Sequence, residues 1–226
     1  MRVLVGYESS GTVREAFRAL GHDAWSCDLQ AADDSSPYHY RCDIWEVVSH
    51  QWDMAIFHPS CTYLTISAAW AFTDGPYHQK VKPGTLVGQA RRDARDQALD
   101  DVRRLMALPY PKAIENPIGA ISKAIRKPDQ IIQPHQFGDD ASKATCLWLD
   151  RLPKLEPTCH VPGRIVEWPK GSGKMVERWG NQTDGGQNKL TPSATRWKDR
   201  SKTYTGIANA FADQWTNINA PLLAYI

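Results

Sequence analysis

The stretch RVLVGYESSGTVREAFRALG, Arg2 to Gly21, reads as strand, turn and helix in that order. "RVLVGY" is a short apolar run of β-branched residues and leucine, and "ESSG" is a turn. In "TVREAFRAL", Val13, Ala16, Phe17 and Leu20 fall on one helical face. Gly21 follows where a left-handed C-cap is expected. One charge and a run broken by Gly6 make this N-terminus a first strand rather than a secretion signal.

The alternation continues. "DAWSCDL" reads as a second strand ending at Asp28, "AADDSSPYHY" as a polar loop, and "RCDIWEVV" as an acid, Asp43, opening a short helix. "DMAIFHP" is the next strand, followed by a long Gly/Pro-containing loop over 62–88. "QARRDARDQALDDVRRLMAL" is an amphipathic helix expected to turn Ala94, Ala98, Val102, Leu105 and Met106 to the core and its arginines outward. "KAIENP" is a strand cut off by Pro117, "GAISKAIR" a short helix, and "QIIQPHQFG" and "TCLWLD" two more strands. "TYTGIANAFADQW" closes the pattern as a helix. Such alternation predicts an α/β fold, a mainly parallel sheet with helices on both faces. Ligands of such sheets sit at the carboxyl ends of the strands, where strand order reverses.

A chain of 226 residues is long enough for one domain with a real core and a small appendage. No apolar stretch approaches the ~20 residues that span a membrane, so no membrane partner is expected. Five cysteines at irregular spacing argue against a disulfide framework and for a reducing, cytoplasmic setting. Cys159-His160 lacks a matching second pair, and no metal site is expected. The net charge of +2 is unevenly spread: Arg151–Tyr204 holds eleven Lys/Arg against five Asp/Glu, a net of +6, with Trp168, Trp179, Trp197 and Tyr204 interspersed. Basic residues among aromatics suit a nucleic-acid backbone and its bases, although a solvated appendage has the same composition.

The predicted strand ends gather the candidate chemistry. Gly6, Ser9, Ser10 and Gly11 let backbone approach a ligand, Asp28 stands where ribose hydroxyls would be held, and Asp43 could accept from an adenine amino group. Together they suggest a nucleoside-bearing cofactor. Cys61 follows one strand and Glu115 ends the next, joined by a loop and one long helix as a right-handed crossover requires. If those strands are neighbours, thiol and carboxyl group emerge side by side, one to attack a ring and the other to protonate it.

"HPSCTYLT" followed by "IENP" resembles the Pro-Cys and Glu-Asn-Val/Pro motifs of the DNA cytosine-5 methyltransferases. "VLVGYESSG", "SCDL" and "CDI" stand where that family's cofactor segments belong. "QPHQFGDDASKATCLWL" resembles its eighth motif, and "DRSKTYTGIANAFADQW" its ninth and tenth. The resemblance covers nearly the whole chain and is nearest the short phage and bacterial members. It implies a Rossmann-like catalytic domain over 1–150 and 199–226, with a small target-recognition element over 151–198.

It also implies S-adenosylmethionine (SAM) as cofactor, held by Gly6, Tyr7, Glu8, Ser9, Gly11, Asp28, Leu29, Asp43, Ile44, His58, Pro59 and Asn209. Cys61 would attack C6 of a flipped cytosine in duplex DNA and Glu115 would protonate N3. Asn116 would hold the pair in place, with Lys143 near the target nucleotide; a monomer is the default expectation, since the sequence carries no oligomerisation signal. Two departures stand out. Pro-Pro-Cys is Pro59-Ser60-Cys61 here, and Lys143 and Thr145 replace two arginines, so the guanidinium fork is lost. RNA or a free pyrimidine nucleotide as substrate, and a non-catalytic DNA-binding role, stay open alternatives. A nicotinamide enzyme is disfavoured because the first loop lacks the glycine fingerprint.

Overall fold

The computed structural model describes residues 1–66, 68–78, 80–191, 193 and 196–216. The expected last part of the catalytic domain, 217–226, lies outside the described residues. Seven strands form one sheet: β1 (Arg2–Gly6), β2 (Asp23–Cys27), β3 (His39–Tyr40), β4 (Met54–Phe57), β5 (Lys112–Pro117), β6 (Gln130–Ile132) and β7 (Thr145–Asp150). Their order is β3-β2-β1-β4-β5-β7-β6. Pairing is parallel from β3 to β5, and β7 runs antiparallel to both its neighbours. This is the doubly wound, Rossmann-like α/β architecture, and strand order reverses between β1 and β4.

Alternation along the strands assigns the two faces. Val3, Val5, Met54, Ile56 and Ala113 face one side, where α1 (Thr12–Ala19) brings Val13 and Phe17 and α6 (Thr205–Thr216) brings Ile207, Phe211 and Trp215. Leu4, Ala55, Phe57 and Ile114 face the other, covered by α2 (Ile44–Val47), α3 (Gly88–Met106) and α4 (Ala120–Ala124). Phe17, Phe57 and Phe211 are fully buried, and each such side chain stabilises the fold by about 1.5–3 kcal/mol.

Three expectations need correction. The segment read as a polar loop ends in β3, whose two residues pair with Ser26 and Cys27; a two-residue edge strand has too short a pattern to stand out. In α3 the core takes Leu99 with Val102 and Leu105, while Ala94 and Met106 are only half-buried. Its arginines do not all face solvent: Arg91 is buried, because its guanidinium caps the carbonyls of Thr62 and Leu86. The basic segment is also less irregular than its composition suggests. It holds an antiparallel hairpin of β8 (Arg164–Glu167) and β9 (Met175–Arg178), then α5 (Arg196–Ser201).

The start of that segment is stitched to the core. Leu155 is buried there, Gln130 exchanges two hydrogen bonds with Leu155 backbone, and the Trp215 indole donates to the Pro153 carbonyl. Asn181, beyond the hairpin, exchanges two 2.9 Å bonds with Ser142, next to Lys143. No helix among the described residues is long and apolar enough to cross a membrane.

Candidate active site

β4 and β5 are parallel neighbours, with Phe57 opposite Ile114. One step further along each strand lie His58 and Glu115, on the same sheet face, and His58 Nδ1 is 3.1 Å from Glu115 Oε2. The His58 amide also donates to the Gly6 carbonyl, and the Glu8 amide to the Cys27 carbonyl, so the ends of β1, β2 and β4 are tied together. Asn116 turns inward and its Nδ2 donates to the Pro59 carbonyl at 2.7 Å. That bond joins the strand carrying Glu115 to the turn carrying Cys61.

Cys61 is exposed at the mouth of this group. The surrounding protein wall desolvates its thiol and, with the Glu115 charge, pushes it up; Lys143 and Arg200 of α5 act in the opposite direction. Burial also opposes ionisation of Glu115, but the Lys143 charge and the His58 hydrogen bond and charge together hold it below the ordinary carboxylate range. Lys143 therefore favours the anionic form of both groups. A small cavity beside Glu115 is lined by Lys143, Thr145, Thr203, Tyr204 and Ile207. The groups that meet here are a thiol, a carboxyl group, an imidazole and two cationic side chains.

The loop after Cys61 is held from α3. Arg91 donates to the Thr62 carbonyl and Arg95 to that of Tyr63. Arg92 donates to the Phe72 carbonyl and pairs with Asp74, and the Arg95 guanidinium lies 3.2 Å from the Phe72 ring centre. Sequence reading missed this clamp and also Arg200. Arg91 and Arg95 do stand one helical turn apart, which was the available signal.

The expected cofactor residues divide into groups. Asp28 ends β2, half-buried, and its Oδ1 accepts from the Gln30 amide; Leu29 beside it is 71% exposed, an apolar side chain in the open. Ser9 is half-buried on the first loop, and its carbonyl accepts from the Asp33 amide. The following loop crosses back here, and Asp33 pairs with Lys198 of α5.

Glu8 is buried, and its carboxyl group caps α1 by accepting from the Val13 and Arg14 amides. Burial pushes that carboxyl group up against the His58 charge and these two bonds. Gly6 makes room for neighbours: a Cβ there would stand 2.6 Å from Phe57 and 2.8 Å from Ile44. Gly11 has φ +73°, and the Arg14 guanidinium fills the space beside it.

Tyr7, also at positive φ, packs partly buried against the α2–α3 face, and burial, then Asp101, Asp43 and Cys27, push its hydroxyl up. Asp43 caps α2 in a capping box with Glu46, and Ile44 is core. Asn209 is exposed on α6. Two buried polar atoms at the strand ends, His58 Nε2 and Asn116 Oδ1, have no hydrogen-bond partner among the described residues. Together with the exposed Leu29 and the half-free Asp28 carboxylate, they fit a polar ligand with a nucleoside part. Among the described residues no cluster of three or more His, Cys, Asp or Glu could hold a metal ion.

No family model matches the sequence, and no curated protein matches it. Among matching solved structures is that of a candidate DNA modification methyltransferase encoded within a prophage of E. coli. It aligns with a TM-score of 0.43 at 12% identity, over 72% of this chain and 52% of that one. The present chain thus spans about half the length of that protein.

Proposed function

We propose that this protein is a SAM-dependent methyltransferase that modifies C5 of cytosine in DNA. The observation that carries this reading is the meeting of Cys61 and Glu115 at the ends of adjacent parallel strands, with the Lys143 charge acting on both. A cytosine ring needs a nucleophile at C6 and a proton at N3 before C5 can take a methyl group, and those two groups supply them. SAM, when bound, supplies the electrophilic methyl group.

Asp28 and Leu29 would hold its ribose and adenine, and the orphaned polar atoms of the strand ends would meet its polar part. The base would have to leave the helix stack to reach the thiol at the mouth of such a site. The loop clamped by Arg91, Arg92 and Arg95 flanks the thiol and would exclude water once the base is in. The basic hairpin and α5 would take the DNA backbone.

Two variants test the reading. Cys61→Ser should abolish methyl transfer to DNA and keep SAM binding, and Glu115→Gln should keep the fold and lose most of the rate. Undiminished methylation by Glu115→Gln would remove that residue from the chemistry, and loss of SAM binding in Cys61→Ser would contradict the geometry assigned to the thiol.

A further inference from the structure

The resemblance gives His58 to the cofactor, but its Nδ1 edge faces Glu115. His58 and Glu115 are each 10% exposed at their side chains, with Nδ1 and Oε2 3.1 Å apart. The contact follows from the register of β4 and β5, since both residues lie one step beyond the Phe57–Ile114 pair. A buried carboxylate needs a donor, and an amide side chain would serve. Histidine adds something an amide lacks, a proton that can be given up near neutral pH.

We propose that His58 shares one proton with Glu115 and, acting through that carboxyl group, supplies the proton that N3 of the target cytosine takes up when Cys61 adds to C6. This rests on the reading of the reaction given above. Once the Cys61 thiol has released its proton to solvent, the sulfur forms a bond to C6 and the C5–C6 π electrons become available at C5. The Nδ1–H bond of His58 breaks, the carboxyl O–H of Glu115 forms and breaks in turn, and N3–H forms. After C5 has taken the methyl group and lost its own proton to a solvent base, the C6–sulfur bond breaks. The N3 proton then returns by the same route. His58 is thus a positioning residue that also stores the proton, and Glu115 is the catalytic residue.

The charges around His58 suit this use. Glu115 faces it from β5, with Lys143 behind that carboxyl group, and Glu8 stands on the β1–α1 loop within electrostatic reach of the imidazole, with Arg14 of α1 behind it. Cys61 lies three residues along the same turn. Two carboxyl groups face one imidazole, and Lys143 favours the anionic form of Glu115 until a base with an acceptor nitrogen arrives.

The test is single-turnover methyl transfer to duplex DNA by wild type, His58→Gln and His58→Ala across the pH range, with SAM affinity measured alongside. The rate ratio of wild type to variant cancels the Cys61 thiolate requirement and reports the proton on the pair. Without the imidazole the proton must come from the carboxyl group alone, so the ratio, taken at saturating SAM, should rise at least tenfold from about pH 5.5 to about pH 8 for both variants. A His58→Gln enzyme with the wild-type profile would reduce the contact to a plain hydrogen bond and overturn the proposal. A loss equal at every pH at saturating SAM would do so as well, leaving a packing or cofactor role. Wild-type protein that makes no 5-methylcytosine would instead remove the reaction itself, and the proposal with it.

Discussion

Asn116 reaches across the strand ends and donates to the Pro59 carbonyl at 2.7 Å, so the strand that bears Glu115 grips the turn that bears Cys61. The separation of nucleophile and acid therefore depends on one buried side chain. A buried bond of this kind is worth about 1–3 kcal/mol when its partner is left unpaired. Asn116→Ala should lower methyl transfer at saturating SAM by about 10–100-fold, the rate equivalent of that energy. A rate within twofold of wild type would show that the turn holds itself.

Lys143 lowers the proton affinity of both Cys61 and Glu115, so its removal should let both rise. Because the thiolate is the reactive form, alkylation of Cys61 by iodoacetamide should move to higher pH in Lys143→Met and slow several-fold at fixed mild alkalinity. Lys143→Arg should behave as wild type. An unchanged alkylation profile in Lys143→Met would place the lysine charge away from the thiol in solution.

Arg95 holds the Tyr63 carbonyl and covers the Phe72 ring. Arg95→Ala should free the loop after Cys61, cutting turnover by about tenfold, or about 1.4 kcal/mol, without changing SAM affinity. Limited proteolysis should then cut the region between Thr62 and Leu86 faster. Equal cutting rates would mean that Arg91 and Arg92 hold the loop without it.

The hairpin and α5 present Arg164, Lys170, Lys174, Lys198 and Arg200. Two of these are already paired within the protein: Arg164 with Asp184 and Lys198 with Asp33. Lys170→Ala and Lys174→Ala should each weaken DNA binding across sequences and reduce the slope of log K against log salt by about 1. An unaltered slope in both would turn this face of the hairpin away from DNA.

The parallel sheet and the pairing of the strand that leads to Cys61 with the strand that carries Glu115 were legible because one long amphipathic helix between two apolar runs forces a right-handed crossover between neighbours. The His58–Glu115 contact was not, since it depends on the register of two strands 57 residues apart in sequence. Composition also hid Arg91, whose charge argued for solvent until its guanidinium met the Thr62 and Leu86 carbonyls. Nor did the pattern show that a side chain at Gly6 would collide with Phe57 and Ile44. In each case the local pattern was read correctly and a tertiary neighbour decided its use.

In the proposed reaction a methyl group reaches C5 of cytosine through Cys61. Purified protein should be incubated with labelled SAM and mixed-sequence duplex DNA, and the DNA digested to nucleosides and identified by mass. Labelled 5-methylcytosine should form with wild type and none with Cys61→Ser. Label in another nucleoside, or 5-methylcytosine formed equally well by Cys61→Ser, would contradict that reaction.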